Sequence, residues 1–556
     1  MTDPLQQAVD ALSECGGNKG QAARLLGIAR STLRDRLDQS ARLNRVPVEI
    51  PKPTKTAKHE VPTVHGQIAE RASRQFKRSG YRVFILTSAQ NNTLLHGEFW
   101  RNLKAYADFR GAEILVSRYS YNKKRYAGKA KPGSEKPSDF DGLWYAPEIE
   151  NYVCDESIKL GKDLVWCGEL NILPTAAKPL TGFDSYTGQA SSVIPHAKIA
   201  KKSVPTGKYE RTKFLFTTGT VTQRNYIATK AGQIADFHHA YGALIVEFDE
   251  QERWFARQIN ATNDGSFYDR TYFVRDGSVT DEHRVKGINW GDIHTAQLDP
   301  IVRQAAWGAG GMLDVLRPEY QFFNDLLDFL NRNHHNVGNP HVGFERFIKG
   351  QESVEEEVKS CSDFLRDARR EWCESIVVDS NHDRAMERWL READYKNDAV
   401  NAVFFLEAQL EKYRSIQSEK HKAFHLVEWA MRRAGCAESD RFLREDESFV
   451  LCPEHGGGIE CGMHGDLGVN GSKGGPLQFT RMGRKANTNH THTDGINDGV
   501  YTAGDLGKQD KGYNRGPNSH SQSNVVTYAN GKRAIYTMWD GRWCAEQPAT
   551  EVSLAA

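Results

Sequence analysis

The stretch VKGINWGDIHTAQLDP, residues Val285–Pro300, decides how the second half of the chain is read. An apolar approach runs into Gly291 and then Asp292, Ile293 and His294. Along a strand, side chains at i and i+2 leave from the same face, so Asp292 and His294 are predicted to converge on one point. A carboxylate oxygen beside an imidazole nitrogen is a chelating pair that suits Mn, Fe or Zn, whereas Mg favours oxygen donors throughout. A lone Asp-x-His arises often by chance, so the reading depends on what surrounds it.

Four further segments follow with the same chemistry. YQFFNDLLDFLNRNHH sets Asp325 and Asp328 behind an apolar aromatic run. SIVVDSNHDR, Ser375–Arg384, is a β-branched strand whose carboxyl end carries Asn381, His382 and Asp383, and ligands in open α/β sheets bind at such ends. GIECGMHGDLGVNGSKGG offers His464 in a glycine-rich loop, and ANTNHTHTDG supplies His490 and His492 with the spacing of Asp292 and His294.

In this order the segments resemble the calcineurin-like metallophosphoesterase superfamily, whose signature runs Asp-x-His, Gly-Asp-x-x-Asp, Gly-Asn-His-Asp or Glu, a separate His, and Gly-His-x-His. The resemblance spans residues 285 to about 545. It implies a β-sandwich flanked by helices over 285–556, in a chain that is α/β as a whole. By the same likeness Asp292, His294 and His492 hold one divalent ion, Asn381, His464 and His490 hold a second, and Asp325 bridges them. Mn is the first expectation, with Mg, Fe and Zn as alternatives. His382 would face the substrate as a catalytic imidazole, with Asp383 orienting it, and a metal-activated water would attack a phosphodiester in line. The sequence departs from the signature where Asn324, Ser380 and Asn489 stand for glycine. Asn tolerates left-handed backbone and Ser is small, so these blocks are expected to survive.

At the other end, GGNKGQAARLLGIARSTLRDRL spaces Ala22, Ala23, Leu26, Ile28, Leu33 and Leu37 helically around Gly27. It resembles the Fis-type helix-turn-helix, a small all-α unit placed at 1–42. Ser31 or Thr32 would cap the recognition helix or touch phosphate, and Arg30, Arg34 and Arg36 would face the duplex. Residues 43–78, with Pro47, Pro51, Pro53 and Pro62 among basic and polar residues, read as an extended linker. Residues 79–284 open as strand, amphipathic helix and strand (RVFILTSA, GEFWRNLKAYADFRG, EILVSRYS) and continue rich in strands, an α/β accessory domain with a parallel pair. Asn91, Asn92 and His96 there read as loop polarity.

The 556 residues carry 73 Lys+Arg against 72 Asp+Glu, a net charge of +1, so nucleic-acid binding has to come from local patches. Nine cysteines without compact disulfide spacing fit a reducing compartment. No apolar run is long enough for a membrane span, and no leader is visible at the start, so the expected setting is the cytoplasm of a bacterial or phage-infected cell. Cys452, His455, Cys461 and His464 offer a competing zinc knuckle, although a Cys-x8-Cys spacing lacks the usual clip. His334 and His335 are either phosphate or outer ligand contacts or surface residues. Segments 355–372 and 401–432 are expected to be amphipathic helices covering the sheet.

A phosphoesterase engine does not choose its substrate. The helix-turn-helix does, because tethering it to the catalytic unit raises the effective concentration on DNA and does nothing for a small phosphomonoester. The expected function is therefore a dimetal deoxyribonuclease, with DNA as partner, no membrane partner, and self-association left open. Its kin would be double-strand-break repair nucleases and the phage pre-early enzymes that degrade host DNA. The alternatives are a DNA-binding regulator with a non-catalytic phosphoesterase-like sensor, or a nucleotide phosphatase.

Overall fold

Two short polar side chains start the first helices. Asp3 accepts the Leu5 amide at the head of helix Pro4–Glu14, and Asn18 accepts the amides of Gly20 and Gln21 at the head of Lys19–Leu25. Gly27, at φ +64°, then turns the chain into helix Arg30–Arg42. Alanines at 8, 11, 22 and 23 let the helices approach closely around Leu12 and Leu33. This is the architecture expected of residues 1–42. The computed structural model describes residues 3–42, 80–121, 144–207, 210–330, 332–333, 337–418, 424–511 and 515–546. The expected linker and the histidines His334 and His335 thus lie outside the described residues.

The chain divides into two compact units, Met1–Gln67 and Ile68–Ala556. The larger is mixed α/β with several sheets. Its first sheet has the expected opening: strands Arg82–Gln90 and Ala112–Tyr119 are parallel and joined by helix Gly97–Arg110, with Gly242–Phe248 and Trp254–Asn260 added antiparallel. His96 caps that helix by accepting the Phe99 amide, while Asn91 accepts the Tyr121 amide, so the polar residues of this loop do structural work.

A six-stranded sheet runs Arg441–Phe442, Glu374–Val377, Tyr320–Phe323, Gly287–Asn289, Ser523–Thr527, Arg533–Thr537. Its first four strands are parallel. Alternation along the strands sorts their side chains between two cores. Phe323 and Val377 face helices Val354–Ala368, Asn381–Glu392 and Leu426–Arg433, whereas Phe322 and Ile376 face Leu451 and Ile459 of a second, ten-stranded sheet. Two sheets thus pack face to face, with helices on the outer face of one. The helices predicted at 355–372 and 401–432 are among those lying at this core, as Val354–Ala368, Ala402–Gln417 and Leu426–Arg433.

The ten-stranded sheet crosses the boundary expected at 284/285. Strand Lys201–Val204 pairs antiparallel with Gly495–Asn497, Lys202 opposite Gly495, so 79–284 and 285–556 share one sheet within one unit. Strand periodicity announces that a segment is a strand without naming its partner, which is why this pairing was not legible.

Candidate metal centre

Glycine at 291 lets two backbones meet. A Cβ there would lie 2.7 Å from the Ser523 carbonyl oxygen and 3.0 Å from that of Gly504, and the Asp292 amide donates to Gly504 at 3.0 Å. The strands end early, at Asn289 and Thr488, so neither Asp292 with His294 nor His490 with His492 lies on a strand. Their convergence comes from left-handed backbone instead: φ is +45° at His294, +45° at Asp325, +71° at His490 and +55° at His492. Such conformations cost about 1–3 kcal/mol each and cluster where a site over-determines them. None of the residues standing for glycine is left-handed; Asn324, Ser380 and Asn489 are absent from the positive-φ set, and the strain sits on the functional residues beside them.

The side chains meet in a buried centre. Asp292, His294, Asp325 and His492 each bring one ligand atom to within 4.8 Å of the others. His492 Nε2 is 3.1 Å from Asp292 Oδ2 and 3.1 Å from His294 Nε2. Beside them His464 Nε2 lies 3.1 Å from Asp325 Oδ2, and His490 Nδ1 lies 3.2 Å from Asn381 Oδ1. Asp325 therefore stands between the two groups. Asn324 is used rather than merely tolerated, since its Oδ1 is 3.3 Å from His464 Nδ1 and so turns Nε2 toward Asp325.

His382 enters the same space, its ring 4.8 Å from that of His294. Its Nδ1 donates to the Asp328 carbonyl at 2.8 Å and lies 3.5 Å from the Asp328 carboxylate. That carboxylate is also 3.4 Å from His294 Nδ1. Asp328 thus orients both imidazoles, the work expected of Asp383. Asp383 instead sits in the first turn of its own helix, where the capping Ser380 Oγ accepts the Asp383 amide and donates to its carboxylate at 3.0 Å. The Ser-x-x-Asp spacing of a capping box was readable in SNHD. Asp328→Ala is expected to weaken metal binding by about 10–100-fold, as loss of an outer ligand partner does, measured by metal titration.

Burial pushes the Asp325 carboxyl up, but the imidazoles of His464, His382 and His294 outweigh it and hold it well below its usual range. Burial likewise lowers His464, yet Asp325 and Asp292 overcome this and raise it to about 9. Asp383, desolvated and beside Asp379 and Asp325, is pushed up to about 7. Asp325 Oδ1 is buried without a hydrogen-bond partner, and the Nε2 atoms of His294 and His492 face each other at 3.1 Å. Imidazole and carboxylate donors so arranged fit a divalent cation, which would satisfy atoms that the protein leaves unpaired.

The residues missed by sequence reasoning act around this centre. Arg384 joins Asp379 to Asp466, linking the helix of Asn381 to the loop of His464. Asp505, bridged to Asp292 through the backbone, carries Lys511 at 2.9 Å and forms a further group with His492 and His520. Nothing in the spacing of these residues announced them. The zinc knuckle does not assemble among the described residues: Cys452 and Cys461 pack between the sheets, and His455 sits beside Glu454. In the first unit Arg30, Ser31, Thr32 and Arg34 are exposed and Arg36 half-buried along one helix. That helix begins at Arg30, so Ser31 and Thr32 lie in its first turn rather than at its cap.

These features define a class: a helix-turn-helix protein with a buried Asp/His centre able to hold a metal ion. Residues 9–39 match the Bacterial regulatory protein, Fis family, which supports DNA binding by this unit. Over 512 residues the chain is 39% identical to Protein A1 of Escherichia phage T5, covering 89% of each protein, and it belongs to the family of that phage protein. No solved structure matches it. Among the described residues no helix is long and apolar enough to cross a membrane.

Proposed function

We propose that the chain is a metal-dependent phosphodiesterase acting on DNA, a nuclease of the calcineurin-like metallophosphoesterase type, recruited by its helix-turn-helix unit. The observation that carries the reading is the meeting of Asp292, His294, Asp325, Asn381, His464, His490 and His492, from five separate segments, around one buried centre. Kinship with a phage protein agrees with a DNA-directed role.

Divalent ions held there, Mn first among them, would neutralise the phosphate and activate the attacking water. The chain's own residues supply the rest. Asp292 and Asp325 remain ionised and so provide anionic donors at neutral pH. Because a carbonyl only accepts, His382 Nδ1 carries a proton on Asp328, which leaves Nε2 for the substrate. Burial lowers its pKa, but Asp325 and Asp328 raise it overall, and a protonated Nε2 would donate to a phosphate oxygen or to the leaving oxygen.

The direct test is incubation of the full chain with linear, circular and single-stranded DNA in Mn and in Mg, scored on a gel. Intact DNA in every lane, with metal uptake demonstrated, would overturn the reading.

Metal uptake should release protons. Without metal, His464 is raised from 6.5 to about 9, so it is charged at pH 7.5 and must lose its proton to become a ligand. Affinity is expected to climb with pH until about 9 and then level off, and His464→Gln should abolish the proton release seen in weak buffer. The linkage sign is that of a raised base: its stabilising pairing with Asp325 is full below pH 6.5 and lost as pH rises through about 9 in metal-free protein.

Removing the arm separates recruitment from chemistry. Deletion of residues 1–78 is expected to leave hydrolysis of a small phosphodiester unchanged while cleavage of long duplex at low protein concentration falls, more steeply as salt rises. Equal losses on both substrates would make the arm a folding element instead.

A further inference from the structure

The shared ten-stranded sheet does more than join the two halves; it brings residues 177–203 beside the loop that carries His490 and His492. A cavity of about 410 Å³ opens there. Ala177–Thr181, Lys198 and Lys201–Ser203, all from the first half, line it. From the second half come Pro476 and Leu477, between His464 and His490, and Thr491, Thr493, Asp494 and Asp498. Thr491 stands between two candidate ligands, so the cavity begins one residue from the metal centre.

Its chemistry is mixed in a particular way. Leu180 and Ile496 are apolar and buried, and Leu477 is 53% exposed. Thr491 and Thr493 bring hydroxyls to the lining, Lys178 is exposed, and the other lysines are paired with carboxylates, Lys198 with Asp498, Lys201 with Asp494 and Lys202 with the partly exposed Asp184. Apolar side chains beside hydroxyls, with an exposed lysine, suit a group that is apolar on its faces, polar on its edge and attached to an anion.

We propose that this cavity takes the nucleobase of the nucleotide next to the scissile phosphate, so that the first half of the large unit, residues 79–284, supplies a wall of the substrate groove. The proposal rests on the phosphodiesterase reading above and gives that half a role in substrate binding. The hydroxyls would meet the base edge, the apolar side chains its faces, and the exposed Lys178 the continuing strand.

The test uses the full-length protein loaded with Mn and two probes, dAMP and deoxyribose 5-phosphate, in equilibrium titrations. The wild type is expected to bind dAMP at least roughly ten-fold tighter than the sugar phosphate, a modest base contribution. Ala177→Trp, which narrows the mouth from an exposed position, and Leu477→Asp should each erase that preference while leaving the affinity for deoxyribose 5-phosphate and the metal content unchanged. Equal binding of the two probes by wild type, or a preference that survives both substitutions, overturns the pocket and leaves the metal reading standing. Protein that takes up no metal overturns both.

Discussion

Asp292→Ala and His492→Ala are each expected to reduce phosphodiester hydrolysis to background while the far-ultraviolet circular dichroism spectrum stays that of the wild type. Asp292 touches His492 at 3.1 Å, lies 3.9 Å from His464 and accepts the His490 amide at 3.1 Å, so its loss removes an anionic donor and loosens the loop that carries the other imidazoles. His492 contacts both Asp292 and His294, and removing it opens the same group from the other side. Neither residue belongs to a hydrophobic core, so the cost falls on metal affinity rather than on the fold. The loss should exceed the roughly 10–100-fold expected for an outer partner such as Asp328. Metal content by mass spectrometry and turnover at saturating Mn are the two readouts. A variant that turns over at near wild-type rate under saturating Mn removes its residue from the ligand set.

His382→Ala is expected to part these two readouts. The ring lies against His294, with Nδ1 committed to the Asp328 carbonyl; it stands outside the Asp292, His294, Asp325 and His492 group and forms a separate group with His294 and Asp328. Metal content should therefore hold while the rate falls by roughly 10²–10⁴, the range for a positioned acid or for stabilisation of developing charge. The loss should be smaller for a substrate with a good leaving group, such as a nitrophenyl ester, if proton donation is the role. An emptied site in the variant would make His382 a ligand, and equal losses on good and poor leaving groups would leave charge stabilisation as its part.

Much of this was legible from the residues alone. An apolar approach and a β-branched run marked the strands that end before Asp292 and before Asn381, and helical spacing around Gly27 marked the first unit, matched by Ala22, Ala23 and Leu33 in its core. The ligand chemistry was readable because Asp, His and Asn recur at the ends of apolar runs, and backbone strands deliver their end loops to one edge of a sheet. The reason assigned for the convergence was nonetheless different from the one found. Asp292 with His294, and His490 with His492, were attributed to strand alternation, but they lie beyond the strand ends and are aimed by left-handed turns. Short-range spacing is the same in both cases, so spacing cannot tell them apart.

What the sequence by itself determined is therefore local: which segments are strands or helices, where glycine turns the chain, and which side chains carry metal-binding chemistry. These follow from backbone sterics and from periodicity, which act within a few residues. What only the tertiary structure decided is partnership across long separations. Asp328 rather than Asp383 orients His382, 54 positions away in the chain; Lys202 pairs opposite Gly495; and Arg384 joins Asp379 to Asp466. A strand edge or a carboxylate is chemically ready for many partners, and the one it receives is chosen by the packing of the whole core, in which burying all the apolar faces at once leaves a single register and a single set of neighbours.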